Sequence, residues 1–283
     1  MTLRQLLEFV NELYSSKEKY DTKCRDAKLP RETMEQHLYT YLNQKYGLKS
    51  LIIEWASAVM AAVKKYADED NDVAVFGKIL RNEIDEDFRI VQKQLKDTVS
   101  ELLRVYLKGK YPLKSEDEVS KLLKKRMSTT VYEEEWVDII KYMYNHEDSV
   151  SLIMKCKDLI ASQNRVEDQN RAVRGRGRAQ EVDNREGSKL AFTDFLKILL
   201  DFQLKGHEKF LLKFMKLFRQ FDKDKNGVIN EEEFRQLIIA TDPNKTDQEI
   251  QDLLNMVDPH NNQQISFSEC VNFLSSDLVH MAV

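Results

Sequence analysis

The sequence of 283 residues predicts an all-α protein, and three observations carry that expectation. Chain breakers are scarce, with 8 glycines and 4 prolines. The composition is rich in Leu, Lys, Glu and Gln, residues that lose little freedom in a helix. Apolar residues recur at steps of three and four rather than in alternation. At 42% hydrophobic the chain can bury a sizeable core, and its length exceeds the ~100–200 residues of one ordinary domain.

The first helix is expected near the start, where Leu3, Leu6, Leu7, Val10 and Leu13 share one face. A second starts around Pro30 and ends at Gly47, with Met34, Leu38, Tyr41 and Leu42 as its apolar stripe. A third carries Leu51, Ile52, Trp55, Val59 and Val63. Asp68-Glu-Asp70-Asn-Asp72 opens like a cation loop, but Val73 and Ile79 fill the positions that would need Gly and Glu. It reads as an acidic turn and helix start, which suits the helix dipole. Asp87 to Leu107 holds a near-heptad stripe too short for a coiled coil, closed by Gly109 and Pro112. Ser115 and Glu118 form a capping box for the next helix. Shorter helices centre on Trp136–Met143 and Leu152–Leu159, with Trp55 and Trp136 as core residues. Residues 1–161 therefore read as one helical domain of unassigned family.

The composition then changes. Residues 162–189 hold seven basic and five acidic side chains, few large apolar ones, and the stretch Arg174-Gly175-Arg176-Gly177-Arg178. Such a segment buries too little to offset its ordering entropy, so it reads as a charged, flexible linker. Residues 190–283 form a third region, with 15 Asp and Glu against 10 Lys and Arg. Two helices are expected first, Ala191–Leu204 and Glu208–Phe221, parted near Gly206.

Asp222-Lys-Asp224-Lys-Asn226-Gly227-Val228-Ile229-Asn230-Glu-Glu-Glu233 meets every demand of a twelve-residue Ca²⁺ loop. Ca²⁺ is a hard cation that takes six to eight oxygens, and alternate positions of a tight loop supply them. Asp222, Asp224 and Asn226 occupy positions 1, 3 and 5, and Gly227 permits the turn at position 6. The carbonyl of Val228 serves position 7, Asn230 acts through a water at position 9, and Glu233 offers both oxygens at position 12. Ile229, at position 8, should form a short β-bridge with a partner loop. Phe214, Leu217, Phe218 and Phe221 precede the loop on one helical face, and Phe234, Leu237 and Ile238 follow it. These residues resemble an EF-hand of the calmodulin superfamily.

A partner sits at the spacing such a pair needs. Thr246–Val257 reads as its leading helix, and Asp258, Asn262, Ile265 and Glu269 fit positions 1, 5, 8 and 12 of loop 258–269. His260 replaces an oxygen ligand, and Gln263 stands where Gly is wanted, so this loop should hold Ca²⁺ weakly or not at all. Its expected role is structural, with Ile265 pairing Ile229. Asp183–Asp194 has the outline of a worn loop, with Leu190 eighth and Asp194 twelfth, and is either vestigial or coincidence.

Other chemistry is not indicated. No phosphate loop, dinucleotide fingerprint or nucleophile elbow appears, and the five histidines show no metal-protease spacing. An enzyme is not expected. The net charge of −4 and the absence of a clustered basic face argue against nucleic acid. The stretch Leu51–Val63 is too short to span a bilayer, and the amphipathic start lacks a signal-peptide core. Cys24, Cys156 and Cys270 are odd in number and far apart, which suggests buried thiols in a reducing compartment. The expectation is a cytoplasmic, calcium-binding regulatory or scaffold protein holding one tight Ca²⁺ and docking protein partners through its helices. The alternative is a structural component of a cytoskeletal assembly, such as a ciliary or flagellar axoneme.

Overall fold

A computed structural model of the chain describes residues 1–173, 188–275 and 278–279. Among the described residues there are twelve α-helices and two small antiparallel sheets of two strands each, so the all-α expectation holds.

The first four helices are α1 (Leu3–Ala27), α2 (Met34–Tyr46), α3 (Lys49–Tyr66) and α4 (Asn71–Leu80). Thr2 and Thr33 close capping boxes on α1 and α2, and Gly47 ends α2 in the left-handed region at φ 67°. Pro30 lies just outside α2, whose N-cap is Thr33. The acidic stretch before α4 is a helix start, as expected: the Asp70 side chain accepts the Val73 N–H at 3.1 Å. Helix α3 comes close to α4 at Gly77, where a Cβ would fall 2.6 Å from Val63.

Next come α5 (Phe88–Lys110), α6 (Glu116–Ser128), β1 (Thr130–Tyr132), α7 (Glu133–Met143) and α8 (His146–Val173). The Ser115–Glu118 capping box starts α6 as its sequence demands. After the segment outside the described residues, the chain resumes with β2 (Lys189–Ala191) and α9 (Phe192–Phe221). β1 and β2 pair with Val131 opposite Leu190. The two helices expected around Gly206 are a single one. A glycine inside a helix costs only about 1 kcal/mol relative to alanine, and α9 recovers more than that by burying Leu199, Leu204 and Leu211.

The remaining elements are β3 (Val228–Ile229), α10 (Glu231–Thr241), α11 (Asp247–Val257), β4 (Ile265–Ser266) and α12 (Phe267–Phe273). β3 and β4 pair with Ile229 opposite Ile265, the bridge that the two loops call for.

These elements form two compact units whose boundaries differ from those read in the sequence. The first joins Met1–Arg89 to Leu204–Val283, and the second is Ile90–Gln203. In the first, one continuous buried cluster runs from Leu6, Leu13 and Phe76 to Phe214, Phe234 and Phe267. The N-terminal helices and the C-terminal helices thus share a core, where separate domains at 1–161 and 190–283 were expected. The second unit has its own core around Val99, Leu103, Trp136, Ile140, Leu190 and Phe195. Part of the expected linker is structured: residues 162–173 extend α8, and Lys189 begins β2. Arg174–Arg178 and Asp183–Gly187 lie outside the described residues. All three cysteines are free and buried.

Candidate metal centre

The loop between α9 and α10 lies in the first unit, and its own side chains fold it. Asp222, 6% exposed, accepts the N–H groups of Asn226 at 3.1 Å and Gly227 at 3.0 Å. Those two bonds draw the chain around the first carboxylate. Asp224 accepts from the Asn226 amide at 2.7 Å, and Asn226 Oδ1 accepts the Val228 N–H at 2.9 Å. The reversal needs two left-handed residues, Lys225 at φ 58° and Gly227 at φ 81°. At the exit, Asn230 Oδ1 caps the Glu233 N–H at 2.9 Å while Glu233 Oε2 accepts the Asn230 N–H at 3.1 Å. One reciprocal pair thereby starts α10 and fixes the twelfth position of the loop.

The loop carries in its sequence the donors of a hard-cation site: three carboxylates, one amide oxygen, the Val228 carbonyl and Asn230. Burial raises the pKa of Asp222, and nearby Asp224 adds to that, while the bonds from Gly227 and Asn226 oppose it. A carboxylate that is costly to ionise where it stands favours a positive charge beside it. The residues therefore fit Ca²⁺. Among the described residues no three His, Cys, Asp or Glu side chains stand together as a ready cage.

Loop 258–269 is built on the same hydrogen-bonding plan. Asp258 accepts the N–H groups of Asn262 at 2.8 Å and Gln263 at 2.9 Å, as Asp222 does in its own loop. Glu269 accepts the Ser266 N–H at 2.9 Å. Gln263 takes the place of the glycine at φ 59°, in a region L residues adopt at a cost. Its side chain reaches Glu231 of the other loop, with Oε1 accepting the Glu231 N–H at 3.4 Å.

The N-terminal helices supply a corner that sequence reasoning did not associate with the loops. The turn from α4 to α5, Arg81–Asp87, touches both of them. Asn82, itself left-handed at φ 49°, presses its side-chain amide against Gly227, and the Thr33 methyl lies 3.3 Å from where a Gly227 Cβ would be. Arg219 donates to the Arg81 carbonyl at 3.1 Å. Farther along the turn, the Glu86 N–H donates to Ser268 Oγ at 3.0 Å and Asn272 donates to Asp87 at 2.7 Å. His207 pairs with Asp85 at 2.6 Å and stacks on Phe88. No motif in 81–87 announces this; it follows from the shared core.

Among known families, residues 212–275 match the EF-hand domain pair. No solved structure matches the chain. The C-terminal part of the chain is thus an EF-hand pair, a calcium-binding domain, joined by the β-bridge that its loops require. Among the described residues no helix is long and apolar enough to cross a membrane.

Proposed function

We propose that this is a non-enzymatic, calcium-binding regulatory protein that takes one tight Ca²⁺ in Asp222–Glu233 and answers to it through its N-terminal helices. Asp222, Asp224, Asn226, the Val228 carbonyl and Glu233 would hold the ion, with Asn230 acting through water, and the bound ion would supply the positive charge that the carboxylates lack. Loop 258–269 serves as the structural half of the pair. The observation that carries the reading is the single buried cluster shared by residues 1–89 and the EF-hand pair. Anything that binds only the folded loop stabilises the unit to which the loop belongs. That unit includes α1–α4, so calcium sets the firmness of a helical surface offered to a protein partner in the cytoplasm.

The same shared core favours a second reading. The apolar side chains of the EF-hand pair, Phe214, Phe218, Phe234 and Phe267, are already buried. An ion in such a unit can act as a permanent staple, which suits a structural component of a cytoskeletal or ciliary assembly. Hydrogen exchange of the full chain with and without calcium tests both. The regulatory reading expects added protection at micromolar Ca²⁺ in 1–89 and 204–275 together, and little in 90–166. Protection confined to 212–275 would sink the coupling. Saturation that survives nanomolar free Ca²⁺ would mark the staple.

A further inference from the structure

The second unit repeats the build of the EF-hand pair in its own sequence order. β1 links α6 to α7 and β2 links α8 to α9, as β3 links α9 to α10 and β4 links α11 to α12. Each strand pair is one short antiparallel bridge, with Val131 opposite Leu190 in one and Ile229 opposite Ile265 in the other. Four residues beyond the bridge residue, a carboxylate turns back to accept a main-chain N–H. Glu135 accepts from Tyr132 at 2.9 Å, Glu233 from Asn230 at 3.1 Å and Glu269 from Ser266 at 2.9 Å. The buried side chains keep the same register. Trp136, Ile139 and Ile140 follow Val131 at the intervals at which Phe234, Leu237 and Ile238 follow Ile229.

The two pairs differ at the cation. Arg126 Nε donates to Glu135 Oε1 at 2.9 Å, with Arg126 11% and Glu135 0% exposed. The guanidinium also lies over the Tyr132 ring, 4.3 Å from its centroid. The end of α6, Lys124-Lys125-Arg126, offers no carboxylate or amide ligand. A charge attached to the chain therefore balances the buried Glu135 carboxylate, which stands at the position Glu233 holds in Asp222–Glu233.

We propose that the second unit is an EF-hand-like pair that has exchanged its ion for the guanidinium of Arg126, and that it is held in one state whatever the calcium concentration. The protein then carries one lobe that answers to calcium and one that does not.

The test uses the full chain. In calorimetric titration with CaCl₂, Glu135→Gln leaves the number of bound ions as in the wild type. For stability, Trp136 emission in a Trp55→Phe background reports the second unit, and Glu233→Gln silences the first loop. In that background Arg126→Ala lowers the melting midpoint by roughly 10 °C, because it leaves a buried carboxylate unpaired. Millimolar CaCl₂ then returns part of the loss, since the space beside Glu135 admits a small cation. Arg126→Met with Glu135→Leu restores the midpoint without calcium, which keeps the test readable if Arg126→Ala fails to fold. The proposal is overturned if Glu135→Gln reduces the bound calcium, if Arg126→Ala melts like its parent, or if calcium returns nothing to it. Failure of the Asp222–Glu233 assignment shows separately, as Glu233→Gln alone leaving calcium binding intact.

Discussion

The side-chain amide of Asn82 rests against Gly227, so the turning point of loop 222–233 is covered by a residue from the corner between α4 and α5. Gly227 is needed twice there, for its φ of 81° and for the space that Asn82 takes. Gly227→Ala should weaken calcium binding and destabilise the first unit by roughly 1–2 kcal/mol for the left-handed backbone alone. Asn82→Ala in the same chain should relieve the crowding and return only a fraction of the loss. Melting midpoints of both variants check this; full recovery in the double variant would mean that crowding, not backbone strain, dominates.

The shared core makes a fragment prediction. Residues 204–283 alone should bind calcium more weakly than the full chain and self-associate, because the fragment exposes apolar surface that residues 1–89 cover. Adding a 1–89 peptide in trans should restore monomeric behaviour and raise the affinity. Light scattering and calcium titration of the mixture decide the matter. A lone fragment that matches the full chain would place the domain boundary where the sequence alone suggests it.

A buried ionic cluster ties α1 to the same corner. Lys17, 3% exposed, bonds Asp21 at 2.8 Å and lies 3.5 Å from Glu86, while Arg31 reaches Asp21 at 2.8 Å. Burial raises the Glu86 pKa, and Lys17 and Arg31 pull it back. Lys17→Met should cost about 3–5 kcal/mol at neutral pH, since it leaves two carboxylates to one cation. The sign of the pH effect follows. A raised folded pKa gives stability that is present below the unfolded value and lost as pH rises through the folded one. Without Lys17 that folded pKa rises further, so the deficit should shrink on going from pH 7 towards pH 4.5. Denaturant melts at the two pH values measure it, and an equal deficit at both would rule Glu86 out.

His37 works in the opposite sense. Its ring is 1% exposed, with Nδ1 2.9 Å from Glu32 and Nε2 3.1 Å from Ser16. Burial lowers its pKa below 6.5, more than Glu32 raises it. The native state then binds fewer protons than the unfolded one, so stability is full above pH 6.5 and is lost as pH falls through the folded pKa. Midpoints of the wild type should fall between pH 7.5 and 5.5, and His37→Gln should flatten that slope. A variant with an unchanged slope would assign the acid sensitivity elsewhere.

Local chemistry was legible without coordinates. The Ser115–Glu118 capping box, the Gly47 helix end, the acidic start of α4 and the Ile229–Ile265 bridge each depend on residues close in sequence or on one loop pattern. The six proposed ligand positions fall in one twelve-residue segment for the same reason: the ion's shell is assembled from a single turn, and spacing alone sets who can face it. The Gly206 break misled because propensity is a small local cost, while burial of Leu204 and Leu211 is a larger tertiary gain.

Partnership between distant segments was decided only in three dimensions. An apolar stripe states that a helix buries one face, yet it does not state against which other stripe. Met34, Phe76 and Phe214 look equally suited to several cores, and only folding put them in one. Asn82 carries no motif, and its role comes from the few ångströms between it and Gly227. The Arg126–Glu135 pair was hidden likewise, in a segment whose lysines and arginine erase the ligand pattern while its bridge and helices keep the form. Sequence determined the EF-hand pattern and the proposed ligand positions because that chemistry is local. Tertiary structure determined what the chemistry is connected to, because burial is non-directional and leaves the choice of partner to the packing of the whole chain.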